Sequence, residues 1–156
     1  MEKDVRQTAR NAFDRLQLPV QVTLESLTRH VEKIRRRPIM IVQSEKLTGM
    51  NICGLWIPRE KVDVVYHSAA QGTLHRQQLI LHELSHMILR HDERVEASWQ
   101  GVKVFRELSG EVVAKALARG DFRSDLEAAA EHLADLLAAA IRESSREIYR
   151  YEAYFE

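Results

Sequence analysis

The chain is predicted to be α+β and mostly helical, with a small three-stranded antiparallel sheet ahead of a helix that carries His-Glu-x-x-His. Three observations predict this. Apolar residues recur at helical spacing within residues 1–37 and again within 124–146. Across residues 38–67 the texture changes to short β-branched and aromatic runs broken by turn residues. Finally, His82-Glu83-Leu84-Ser85-His86 lies inside an apolar, helix-like stretch over 73–90.

Taken in order, Val5, Ala9, Ala12, Phe13 and Leu16 mark a first amphipathic helix that Leu18-Pro19-Val20 ends. A second begins near Thr23 and places Leu24, Leu27, Val31 and Ile34 on one stripe. It closes in Lys33, Arg35, Arg36 and Arg37 before Pro38, where cations suit the negative end of the helix dipole. Pro38–Val42 reads as a strand, Thr48-Gly49 as a turn, and Asn51–Ile57 and Lys61–Tyr66 as two further strands. Short connections between successive strands suggest antiparallel pairing. Thr73 is the expected N-cap of the motif helix. Val102–Ala118 is a weaker helix candidate, and Gly120-Asp121 separates it from a strong Ala-rich helix over Ser124–Arg146. No internal repeat or linker divides residues 1–156, so one domain is expected.

Composition narrows the function. A chain of 156 residues with 45% hydrophobic content can bury one core. The formal net charge is zero and aromatics are sparse, so neither direct nucleic-acid binding nor an anionic membrane partner is expected. No apolar run is long enough to span a bilayer, and the charged N-terminal stretch lacks the apolar core of a signal peptide, so the expected location is cytoplasmic. Cys53 is the single cysteine; it lies in a strand-like stretch and is expected to be buried. A metal site must then rest on histidines and carboxylates.

Such a site is what the motif offers. Residues four apart share a helix face, so His82 and His86 can present two imidazoles to one ion. Glu83 points to a neighbouring direction, where it can hold a water. Leu79, Ile80, Leu81, Leu84, Met87, Ile88 and Leu89 leave little polar face to solvate these groups. A catalytic zinc takes three protein ligands and keeps its fourth position open. The third should come from a later element, and the C-terminal helix carries Glu127 and Glu131 on one face among Ala130, Ala134 and Ala138. Ser124-Asp125-Leu126-Glu127 also matches a capping box, so geometry alone leaves Glu127 and Glu131 both open as ligand or as outer partner of a ligating histidine. Tyr66, His75 and His132 are candidate donors to a developing oxyanion by residue type, as is His67. His91, five residues beyond His86, falls about 140° round a continuing helix and is expected to serve at the surface or the helix end.

The order of elements, with Trp56–Tyr66, Leu74–His91 and Leu126–Ala140, resembles the ImmA/IrrE family of zinc metallopeptidases. His82-Glu-Leu-Ser-His86-Met-Ile-Leu-Arg-His91 is close to that family's motif helix. The family's downstream Glu falls on Glu127; its following Asn is replaced by Glu131, and its aromatic-Ala pair by Leu133-Ala134. The resemblance implies a zincin-like fold, one Zn2+ ion held by His82, His86 and Glu127, and Glu83 as catalytic base. It implies a protein substrate, a helix-turn-helix repressor or another regulatory protein, met by strand addition at the sheet edge. Two other readings keep the same fold: a catalytically silent repressor-binding module, and the toxin of a toxin–antitoxin pair. The aromatic tail Ile148–Phe155 is expected to fold back on the core, the alternative being a docking site for a partner or a second copy; Trp99 admits the same readings.

Overall fold

The computed structural model describes residues 2–49, 53–91 and 124–155. The helix expected over 102–118 and Trp99 lie outside them. Two helices open the fold, α1 (Glu2–Leu16) and α2 (Leu24–Arg35). Thr23 caps α2: its hydroxyl accepts the Ser26 N–H, while the Ser26 hydroxyl accepts the Thr23 N–H. This reciprocal box satisfies two donors that a helix start leaves bare. Between the helices, Ser144 of the last helix holds the connection, its buried hydroxyl accepting the Val22 N–H at 2.9 Å.

Three strands follow: β1 (Ile39–Gln43), β2 (Gly54–Pro58) and β3 (Asp63–His67). Their order is β1-β3-β2, and the sheet is mixed. The antiparallel expectation holds for β2 with β3, which form a hairpin closed by the Arg59 N–H on the Val62 carbonyl. It fails for β1, which pairs parallel to β3 from Ile39 opposite Asp63 to Gln43 opposite His67. The cause is local. After Gln43 the chain does not reverse but enters a short helix, α3 (Glu45–Gly49), where a turn at Thr48-Gly49 is expected. The Thr48 hydroxyl accepts the Ala69 N–H, tying α3 to the exit of β3. The chain thus crosses to the far side before β2 begins, and β3, with Val64 and Val65 buried, becomes the central strand. Cys53, just ahead of β2, is exposed rather than buried.

The motif helix, α4 (Thr73–Ile88), has an exposed first turn, Thr73 to Arg76, and from Leu79 on is buried nearly all round between the sheet and the last helix. Gly72, not Thr73, occupies its N-cap position, and no side chain caps it there. The last helix of the described residues, α5 (Ser124–Phe155), runs 32 residues without a glycine or proline to stop it. It therefore passes the expected end at Arg146, and the aromatic tail continues the helix instead of folding back. Leu27, Val31, Val65, Ile80, Leu81, Leu84, Leu133 and Leu137 form the shared core, with α1 and α4 both packed on α5.

A buried ion pair fixes α2 to the sheet. Asp63 is wholly buried and receives Arg35, with the Arg37 guanidinium 3.7 Å away and the Trp56 indole N–H at 3.1 Å. The Arg35 guanidinium also lies 4.7 Å from the Trp56 ring centroid. Two of the basic residues at the end of α2 are thus spent on one carboxylate, which a lone buried charge requires.

Candidate metal centre

α4 and α5 run antiparallel: Gln78 meets Asp135 while His82 and His86 meet Glu127. Ala130 and Ala134 are wholly buried in this seam, and their small side chains let the two backbones approach. That register brings Glu127 to the histidines. Its carboxylate lies 2.9 Å from His82 Nε2 and 3.2 Å from His86 Nε2. The two imidazole Nε2 atoms are 3.3 Å apart, with the rings nearly perpendicular at 81°.

These separations can be tested against a metal. A tetrahedral ion bound at about 2.0–2.1 Å holds its ligand atoms roughly 3.3 Å apart. The two Nε2 atoms already stand at that spacing, Glu127 meets His82 through Oε2 and His86 through Oε1, and one donor atom from each residue lies within 4.8 Å of the others. Two neutral imidazoles and one carboxylate suit a small divalent cation and leave a coordination position for water or substrate. His82, His86 and Glu127 could therefore hold a metal ion. Access is graded: the His86 side chain is 10% exposed and that of Glu127 48%, so the centre opens on the α5 side.

The charges agree with this arrangement. Hydrogen bonds to His82 and then to His86 hold the Glu127 carboxyl well below the usual carboxylate range. Burial opposes the charged form of His82, but its bond to Glu127 and the charges of Glu83, Glu127 and Glu131 outweigh burial and raise its pKa above 6.5. Glu83 lies beside this cluster, buried between α4 and β2. Burial pushes its carboxyl above the usual range, against the opposing charges of His86 and His82. The Trp56 backbone N–H donates to it, and Gly54 makes room for it: a Cβ at Gly54 would stand 2.9 Å from Glu83 Oε1.

Other sequence-predicted residues are placed elsewhere. Glu131 is exposed and outside the three-donor cluster; it acts on His82 only through its charge. Tyr66 alternates to the sheet face opposite Gly54 and Trp56, and its hydroxyl accepts from Arg59. His75 is exposed at the start of α4, where its Nδ1 accepts the Gln71 N–H. His67 is buried and donates from Nδ1 to the Ser68 carbonyl. No polar contact among the described residues ties His132 to the cluster.

His91 follows the end of α4 and stays outside the three-donor set, but it is not at the surface. It is 4% exposed, and its Nδ1 lies 2.7 Å from His86 Nδ1. The expected 140° offset assumed a helix that continued. Instead α4 ends at Ile88, and Arg90 adopts the left-handed conformation, φ 58°, which folds the next residue back against the turn that holds His86. A glycine at position 90 would have advertised that reversal; an arginine does not.

Comparison of the chain with protein-family models, with curated proteins and with solved structures finds no match.

Proposed function

We propose that the chain is a zinc-dependent metalloendopeptidase of the ImmA/IrrE type, with a zincin-like fold, that cleaves a regulatory protein. One observation carries this reading: His82, His86 and Glu127 converge from two helices while Glu83 lies buried at their side. The motif helix resembles that family's, and the substrate class, a helix-turn-helix repressor or another regulatory protein, rests on the same resemblance.

His82, His86 and Glu127 would hold the ion. Bound zinc supplies Lewis acidity toward a peptide carbonyl and brings the pKa of water toward neutrality. Glu83 accepts the proton of the attacking water at its carboxylate and returns it to the leaving amine. Burial suits it to both tasks, because a carboxyl held above its usual range is a stronger base. The Trp56 N–H and the bare backbone of Gly54 keep that carboxylate in one place.

The test compares the wild-type chain with Glu83→Gln. Purified wild type should contain one zinc per chain and cut a co-expressed repressor; the variant should keep the metal and lose cleavage. If both forms bind zinc and block the repressor without cutting it, the chain is a binding module and the enzymatic reading fails.

A further inference from the structure

We infer that His91 is a positioning residue for the metal ligand His86. The inference rests on the metal-binding reading above and assigns a role to a histidine outside the three-donor set. Its starting point is the 2.7 Å separation of His86 Nδ1 and His91 Nδ1, both side chains being buried.

Two ring nitrogens at that distance share one proton. Both cannot be protonated, and both cannot be bare, without a buried repulsion. The metal decides which carries it. His86 Nε2 faces His82 and Glu127, so that atom must offer its lone pair to the ion. A neutral His86 then carries its proton on Nδ1, and His91 Nδ1 must be the acceptor. His91 in turn carries its own proton on Nε2. One hydrogen bond thereby fixes the tautomer of His86 and the plane of its ring, the service an outer partner gives a ligating histidine. His91 differs from the usual carboxylate or carbonyl partner in one respect: it offers a single lone pair in the ring plane, so it accepts along only one direction. The near-edge arrangement of the rings, 62° between planes with centroids 4.9 Å apart, leaves that direction aimed at His86.

The backbone is shaped for this contact. Just past α4 the Ser85 carbonyl accepts the Leu89 N–H and the Met87 carbonyl the Arg90 N–H, and left-handed Arg90 then turns the chain inward. Had the helix run one more turn, His91 would have pointed away from His86.

The test is zinc affinity of the full chain, measured by competition with a chromophoric chelator, for wild type, His91→Leu and His91→Asn. Asparagine keeps an acceptor where the ring Nδ1 stood; leucine fills the space without one. Leucine should weaken zinc binding by about 10–100-fold, the usual effect of losing an outer partner, and asparagine should restore most of it. Nitrogen–proton correlation spectra of zinc-loaded wild type, in which folding of a variant plays no part, should show the His86 proton on Nδ1 and the His91 proton on Nε2. Unchanged affinity in His91→Leu, equal loss in both variants, or zinc on His86 Nδ1 would each overturn the role of His91 and leave the metal site standing. A wild-type chain that binds no zinc would remove the site itself and this role with it.

Discussion

The carboxylate of Glu127 lies 2.9 Å from Nε2 of His82, although 45 residues separate them in the chain. Four residues further along the same helix, Glu131 is exposed and outside the cluster. Metal content should divide the two. Glu127→Ala should lose the ion on dialysis, with a fall in affinity beyond the about 10–100-fold typical of an outer partner. Glu131→Ala should keep it, because its influence on His82 is through charge alone. Elemental analysis of both variants checks this, and equal retention in both would remove Glu127 from the ligand set.

Gly54 gives a sharper test of Glu83. A methyl group there would stand 2.9 Å from Oε1 and 3.2 Å from Cγ, so the carboxylate must move. Gly54→Ala should lower peptide cleavage by about 100-fold, the scale set by misplacing a reacting group by about 1 Å. Zinc affinity should stay at the wild-type level, since the atoms nearest the added methyl all belong to Glu83, which is not a ligand. A cleavage rate equal to wild type would show that Glu83 need not rest against β2.

The buried Asp63 contributes to the fold rather than to the centre. Removing one partner of a buried, hydrogen-bonded ion pair costs about 3–5 kcal/mol, because the other charge stays behind unpaired. Asp63→Ala should lower the urea unfolding free energy by about that amount, as it takes the buried carboxylate away from Arg35 and from the Trp56 indole. Zinc should not rescue it fully, since none of the groups that pair with Asp63 belongs to the ligand set. A loss below about 1 kcal/mol, the scale of a surface pair, would mean that water reaches the site.

What the sequence made legible follows from the range of each interaction. The His82–His86 pairing is set by one turn of helix and was readable outright. Glu127 could be narrowed only to one of two acids, because the choice depends on how α4 slides along α5, and Ala130 and Ala134 permit several registers. The sheet showed the same limit. Strand positions came within a few residues from β-branched runs, but whether β1 joins β2 or β3 depends on the path through α3, which no strand residue encodes. Likewise, Cys53 sits beside β2 yet is exposed, because the strand begins only at Gly54, after the cysteine.

The acid–base balance of the centre predicts opposite pH trends for the metal-free and metal-loaded chain. His82 has a raised folded pKa, so its contribution to stability is complete below 6.5 and is lost as pH rises through the raised value. Glu127 has a depressed folded pKa, so its contribution is complete above 4.5 and is lost as pH falls through the depressed value. Their pairing therefore supports the metal-free fold fully between pH 4.5 and 6.5. Zinc needs His82 without its proton, so zinc-dependent stabilisation should grow as pH rises above that window. Thermal melts with and without zinc at pH 5.5 and 8 check both trends. A larger zinc effect at pH 5.5 would mean that His82 is not the group competing with the metal.

Glu83 should show the cost of burying a base. Its folded pKa is raised by burial, so its favourable contribution is complete below the ordinary 4.5 and disappears as pH rises through the raised value. Above pH 4.5, Glu83 then weakens the fold relative to an uncharged isostere. Glutamine keeps an oxygen to accept the Trp56 N–H and nearly the same volume. Glu83→Gln should therefore melt at a higher temperature than wild type at pH 7.5, and that advantage should shrink as pH falls toward 4. Metal-free protein is the form to compare, so that zinc binding does not mask the difference. The same substitution should slow peptide cleavage by about 10²–10⁴-fold, the range for loss of a general base. The two changes together separate a catalytic carboxylate from a structural one. A structural Glu83 would lose stability on substitution at every pH, because its hydrogen bond to β2 would be weakened without any charge being relieved.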